Sequence, residues 1–349
     1  MEPTTLAFDL DRLRPDADLR GVDLSAVPLT SADLTGANLA GTNLPGAEIT
    51  GALLDGADFT GADLRGVRFG GALLSGATFS GANLTGATFE GCLLDDAMFR
   101  NARLDEVTLT SCTADRADFR GASLLRCVIE GSVLEAANLS GCEMSGASLK
   151  GSVFTAADLS GAKLVGANLE QALLTEANLA GTDCTEAVLS GAILDKARAP
   201  GAVFRSAFLV ATYAPRADLS GCDFSGAKLS VGTFTRATLA RATFHHSTVE
   251  TAVFEYADLR EARLSQSSFD FANFVGADFA GTQAAGCSFF GADFFWTTLD
   301  GFQRSECDFE SARMPEPVAP AFGPGAAPPP VRPLPLYRPP ASAQPRPSR

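Results

Sequence analysis

Residues 31–65 read SADLT GANLA GTNLP GAEIT GALLD GADFT GADLR, a period of five in which a small residue, a polar residue and then Leu or Phe follow one another. Working outward, the large apolar residue recurs at Leu19, Leu24, Leu29, Leu34 and Leu39 and continues in steps of five to Phe309. The register never slips over roughly sixty frames, the signature of a repeat architecture and not of the two or three domains that the length alone suggests. Ala114, Cys184, Ala199, Ala214, Ala284 and Arg304 break the run of large apolar centres.

Two positions before each centre sits Ala or another small residue. Residues two apart on an extended strand face the same way, so centre and small slot both point inward and each frame forms one short wall. Gly dominates two residues after the centre, and Pro45-Gly46 and Pro200-Gly201 have the order of a type II turn, whose second central residue needs positive φ. The corner therefore lies there.

A longer period tells how many walls close a coil. The residue immediately before the centre is usually Asp, Asn, Thr or Ser, yet it is apolar at Leu53, Leu73, Leu93, Val133, Val153, Leu173, Ile193, Tyr213 and Val253, all separated by multiples of twenty. Phe59, Phe79, Phe99 and Phe119, and again Phe234, Phe254, Phe274 and Phe294, follow the same spacing and predict aromatic ladders in the interior. Four walls thus make one coil.

The Ala-(Asp/Asn)-(Leu/Phe)-x-Gly frame, repeated this many times, resembles the pentapeptide-repeat family over residues 17 to about 312. The resemblance implies an all-β fold, a right-handed quadrilateral parallel β-helix. About fifteen coils at ~4.8 Å each give a solenoid on the order of 70 Å long. Solenoid ends need covering. An N-terminal cap is expected over residues 1–16, with Phe8, Leu10 and Leu13, ahead of the β-helix at 17–314. Residues 315–349 are Pro at more than a third of positions, with no apolar period, and are expected to be a disordered, basic tail.

The formal net charge is −14. Taking the tail's four Arg from 27 bases and its one Glu from 41 acids leaves 23 against 40, a net of −17 for the remainder. That balance disfavours direct binding to nucleic acid or an anionic membrane. An acidic start without an apolar run, and the lack of any long apolar stretch, predict a soluble, cytoplasmic protein.

Catalysis needs convergent reactive groups in a concavity, and a core of Leu, Phe and Ala behind flat walls predicts no enzyme and no cofactor. His245 and His246 are adjacent corner residues without metal-ligand spacing. None of the eight cysteines forms a CxxC pair. Cys92, Cys112, Cys127, Cys142, Cys222, Cys287 and Cys307 occupy the small inward slot, which predicts buried free thiols.

Two outer walls are candidates for recognition. One carries Asp18, Asp58, Asp118, Asp158, Asp218, Asp258 and Asp278 with Asn38, Asn138 and Asn178; it reads either as an acidic recognition face or as side chains that solvate the wall and bond nearby backbone. The other is the nine-residue apolar stripe, edged by Asp55, Asp95, Asp115, Glu135, Asp195 and Glu255 in the manner of an interface rim. It reads either as a protein-binding surface or as a wall covered by the chain's own tail or by its own neighbouring side chains. Non-Gly corners at Asp96, Asn101, Glu106, Arg116 and Arg126, and at Arg236, Arg241, His246, Tyr256, Glu261 and Phe271, suggest lateral contacts or a change of turn type. The Ala centres and prolines between Lys196 and Arg216 suggest a thinner core and a bend.

The reading that follows is a non-enzymatic scaffold or adaptor binding a protein partner, or a second copy of itself, along the stripe. Arg332 to Pro340 of the tail has the look of either a polyproline ligand or a plain linker. The resemblance implies bacterial settings that include secretion machineries. It also implies a second function, the acidic DNA mimic that binds type II topoisomerase (gyrase) and confers resistance to gyrase-directed antibiotics. Full mimicry over ~70 Å at one charge per ~1.7 Å needs about forty negative charges, well above the −17 present. A self-associating structural protein is the third reading.

Overall fold

A computed structural model describes residues 8–315. Residues 1–7 of the expected cap and the Pro-rich segment from 316 onward lie outside the described residues, as does the polyproline reading of Arg332 to Pro340.

The chain is a parallel β-solenoid in which every pairing joins residue i to residue i+20, from Asp18↔Asn38 to Asp293↔Arg313. Most contacts are single bridges, because a wall offers only a few extended residues between corners. Longer strands form two sheets. β1 (Arg68–Gly70), β2 (Thr88–Glu90), β3 (Thr108–Thr110) and β4 (Val128–Glu130) stack on one wall, and β5 (Thr243–His245), β6 (Arg263–Ser265), β7 (Gln283–Ala285) and β8 (Gln303–Ser305) on another. The solenoid has about twelve turns, slightly fewer than the fifteen expected.

The inward positions behave as the period requires. Leu19, Phe59, Phe79, Leu139 and Phe254 are fully buried, as are the small-slot residues Ala57, Ala77 and Ala137. Phe59, Phe79, Phe99 and Phe119 stack with centroids 5.0, 4.8 and 4.7 Å apart, and Phe234, Phe254, Phe274 and Phe294 stack at 5.1, 5.2 and 5.0 Å. Phe69 and Phe89 meet the first ladder edge-on from across the core. Offset and edge-to-face contacts of this kind add about 0.5–1.5 kcal/mol per pair beyond area burial.

Corner geometry corrects one expectation. The corners at Asp96, Arg116, Arg236, Tyr256 and Phe271 keep the turn bond and hold φ between 56° and 59°, close to the 68° of Gly46 and Gly201, whereas at His246 the Ser247 amide donates to Ser267 Oγ in place of the Phe244 carbonyl. The coil closes only with positive φ there, so these residues accept the left-handed conformation, strain included. Between Lys196 and Arg216 two of the four core centres, Ala199 and Ala214, are small, yet Phe204 and Leu209 fill the other two and pairing continues without a break through Ile193↔Tyr213 and Arg198↔Asp218.

Asp9 opens a short 3-10 turn, Leu10–Arg12, by accepting a hydrogen bond from the Asp11 amide. Phe8 and Leu13 pack against the first coil, but Leu10 is exposed, because a single turn offers one inward face and those two fill it. At the other end Arg304, at a core position, is exposed.

The slot cysteines have a further role. At the corners following β1 and β2 the usual turn bond to the core residue's carbonyl is absent, and that carbonyl is taken from the next coil: Cys92 Sγ donates to Phe69 O at 2.8 Å and Cys112 Sγ to Phe89 O at 3.4 Å. Ser132 Oγ and Ser267 Oγ do the same for Leu109 O and Phe244 O. Burial pushes the Cys127, Cys142 and Cys184 thiols up to about 12, and all eight cysteines are free.

Candidate interaction surface

Outside the two sheets, each five-residue frame has one amide that finds no backbone acceptor. In the frame 53–57, Leu53 donates to Ala32 O, Leu54 to Leu73 O, Gly56 to Ser75 O and Ala57 to Leu54 O. The remaining amide, one residue after the centre, has no backbone acceptor. An unpaired donor is costly where water is excluded, and the sequence supplies three remedies.

The first is an Asp or Asn just before the centre, which turns back onto the amide two residues on. Asp58 accepts from Thr60 N at 2.9 Å, Asp158 from Ser160 N at 3.0 Å, Asp218 from Ser220 N at 3.1 Å and Asp278 from Ala280 N at 2.9 Å; Asn38, Asn138 and Asn178 do likewise. The second is Pro, as at Pro45, Pro200 and Pro215, which has no donor to satisfy. The third operates on the apolar wall, where Leu, Val or Ile cannot accept: Asp55 accepts from Ser75 N at 2.8 Å, Asp95 from Asp115 N at 3.0 Å and Asp115 from Glu135 N at 3.0 Å, each from one coil below. Asp55, Asp95 and Asp115 therefore stand in for the missing Asp of the repeat, whereas Asp195 binds Arg216 and Glu255 accepts from the Asn273 side chain.

The pairing brings all seven predicted acidic-wall residues onto one face, interrupted by Thr78, Met98, Arg198 and Thr238. Several are neutralised by their neighbours. Arg20 holds the Asp18 carboxyl down to about 2, Arg120 and then Arg100 hold Asp118 well below the usual carboxylate range, and Arg260 does the same for Asp258.

The apolar residues fall into a single ladder: Leu53, Leu73, Leu93, Thr113, Val133, Val153, Leu173, Ile193, Tyr213, Thr233 and Val253. Leu53, Leu93 and Tyr213 are 38, 42 and 48% exposed, and the other apolar members are half-buried against their neighbours. Thr113 interrupts the ladder, and its hydroxyl is buried without a hydrogen-bond partner among the described residues. Beyond Val253 the wall turns polar at Asn273, Asp293 and Arg313, and apolar surface moves to the flanking corners. Val231 and Phe271 are exposed on one edge, with Phe290 edge-on to Phe271 at 5.4 Å. On the other edge Trp296 stacks on Phe295 at 4.5 Å, and the Arg313 guanidinium sits 3.9 Å from the Phe295 ring centroid. Trp296, Phe290 and Phe295 escaped the sequence reading because they stand at corner positions, where the apolar period carries no signal.

His245 and His246 lie against each other at a corner, their rings 4.1 Å apart, and His245 Nδ1 is 2.8 Å from Ser265 Oγ. Among the described residues no three of His, Cys, Asp and Glu are grouped as metal ligands, and no helix is long and apolar enough to cross a membrane.

The model for pentapeptide repeats matches in eight copies over residues 32–71, 152–183, 182–212, 217–255, 250–283 and 257–294, and that for a pentapeptide repeat region matches 67–139. The chain belongs to the pentapeptide-repeat family. Pentapeptide-repeat proteins are in general non-enzymatic structural or interaction proteins. Solved structures similar to this pentapeptide-repeat chain include HetL, a protein involved in heterocyst differentiation regulation from the cyanobacterium Nostoc sp. strain PCC 7120. It is 28% identical, with 65% of this chain and 90% of that one covered and a TM-score of 0.24. QnrB1, a plasmid-mediated fluoroquinolone resistance protein, is 24% identical over 66% of this chain and 90% of its own, with a TM-score of 0.29. Rfr23 from the cyanobacterium Cyanothece 51142 is 14% identical over 32% and 90%, with a TM-score of 0.32. No curated protein matches the chain.

Proposed function

We propose that this chain is a non-enzymatic scaffold or adaptor of the cytoplasm that binds a protein partner along the apolar wall. The observation that carries this reading is the ladder itself. Nine Leu, Val, Ile and Tyr side chains stand in register at a position that is apolar on the other three walls only at Met98, Val128, Val188, Val203 and Phe208 among the frames that the ladder spans, and three amides of the wall are capped by acids from the coil below. Stability alone favours the simpler Asp solution, which caps its own frame. An extended apolar surface of this kind is unusual on a soluble monomer and marks an interaction site.

The DNA-mimic reading draws less support from the surface. Ion pairs at Asp18, Asp118 and Asp258 reduce the free negative charge along the acidic wall, and the carboxylates are turned back onto corner amides.

A triple variant, Leu73→Asp, Leu93→Asp and Leu173→Asp, tests the proposal. Asp at these positions is the repeat's own residue and can cap its own frame, so the variant is expected to fold. Light scattering after size-exclusion chromatography and cross-linked pull-downs should show wild type in a complex that the variant does not form. A complex with only itself would replace the partner by a second copy. A monomeric wild type whose captured proteins are the same as the variant's overturns the reading, and inhibition of gyrase supercoiling that survives in the triple variant would favour the mimic.

A further inference from the structure

The last frames of the solenoid carry two thiols that the twenty-residue period brings together. Cys287 and Cys307 occupy the inward slot of one wall in consecutive coils. Ala285↔Ser305 are in register before them and Ser288↔Asp308 after them, and the Asp308 amide donates to Cys287 O at 2.9 Å. Strands of neighbouring coils lie ~4.8 Å apart, and disulfide-bonded residues have Cα atoms roughly 4.4–6.8 Å apart. The backbone therefore already holds the two residues at bonding separation.

Cys92 and Cys112 share this spacing, but their surroundings differ. They are 0 and 2% exposed, and their thiols donate to carbonyls of the preceding coil at 2.8 and 3.4 Å. Cys287 Sγ and Cys307 Sγ bond locally instead, to Ala285 O at 3.6 Å and to Ser305 O at 3.3 Å. Cys307 is half-buried whereas the other seven cysteines are buried, because no coil among the described residues lies over the one that contains it. Burial, and with it the neighbouring Cys307, pushes the Cys287 thiol up. The thiol that meets solvent is that of Cys307.

We propose that Cys287 and Cys307 form a redox-modification site, which small disulfides of the glutathione class close into a disulfide that latches the terminal coil to the one below. The Cys307 thiolate attacks one sulfur of oxidised glutathione and displaces a glutathione thiolate, leaving a mixed disulfide. Cys287 then loses its proton to solvent, attacks the Cys307 sulfur and displaces the second glutathione. Two protein thiols and one oxidised glutathione thus give one protein disulfide and two reduced glutathiones, and an excess of reduced thiol reverses the exchange. The terminal coil is paired on one side only, so local opening is easiest there and a cross-link has most to restrain. The site is separate from the apolar wall and independent of what that wall binds.

The test is to incubate the native full-length protein with millimolar oxidised glutathione, alkylate it and digest it with trypsin. Cleavage at Arg263, Arg304 and Arg313 places the two cysteines on peptides 264–304 and 305–313. These peptides should appear joined, with the other six cysteines alkylated. The Gln303 and Asp308 amides should exchange with solvent about tenfold more slowly in the oxidised protein, as a restrained open state requires. Cys287→Ser should accumulate glutathione on Cys307, and Cys307→Ser should leave Cys287 unmodified. Ser247 and Ser267 already fill this slot in the coils below, so both variants are expected to fold. A mixed disulfide at Cys307 that persists in wild type, a link between Cys307 and a second chain, oxidation of Cys92 and Cys112 at the same rate, or unchanged amide exchange would each overturn the proposal.

Discussion

At the scale of single residues, the outer face is organised by one backbone amide per frame, and what sits beside it is decided by how that amide is capped. Asp and Asn before the centre were legible as a row in the sequence, but their purpose was not, because the acceptor relationship is set by the turn and not by spacing. Thr113 is the residue that fits this scheme least. Its hydroxyl is buried without a partner in the apolar ladder between Leu93 and Val133. Replacing it with the isosteric Val removes an unsatisfied group and is expected to stabilise the protein by about 1 kcal/mol, measured as a higher melting temperature. The same change completes the stripe, so complex formation should be unimpaired.

At the scale of the wall, the acidic face is a row of caps with arginine partners. The Asp118 carboxyl, buried between Arg120 and Arg100, ionises more readily in the folded than in the unfolded chain, as do Asp18 and Asp258. Their stabilising contribution is therefore complete above the ordinary carboxylate pKa near ~4 and is lost as the pH falls through the lower, folded-state values. Melting temperature should be nearly flat from about pH 7 to pH 5 and drop below about pH 4. Asp118→Asn keeps the cap, as Asn38, Asn138 and Asn178 do, but loses the ion pairs, so its profile should fall less steeply on the acid side. An identical acid slope in the variant would show that these pairs contribute little.

At the scale of the whole solenoid, the two periods make separable demands. Five residues build a wall, and twenty return the chain to the same wall one coil further on. Deleting residues 146–165 removes one coil and leaves Leu173, Ile193 and Tyr213 above Val133 on one wall. Deleting only 146–150 keeps every inward slot and every positive-φ corner but moves those three residues onto the adjacent wall. Both proteins are expected to retain the β circular dichroism of the parent. Only the five-residue deletion should abolish the complex formed through the stripe, and loss of the complex in the coil deletion as well would show that continuity of the wall does not matter.

The sequence by itself determined the repeat frame, the four-walled coil, the inward Leu, Phe and Ala, the buried cysteines and the membership of both outer walls, because each depends only on periodicity and strand alternation. Only the tertiary structure decided that the non-Gly corners keep positive φ, that Asp55, Asp95 and Asp115 cap amides of the coil above, and that cysteine and serine close the open corners. Those features arise between coils, from residues about twenty positions apart meeting with particular hydrogen-bond directions, and a period read along the chain carries no information about direction.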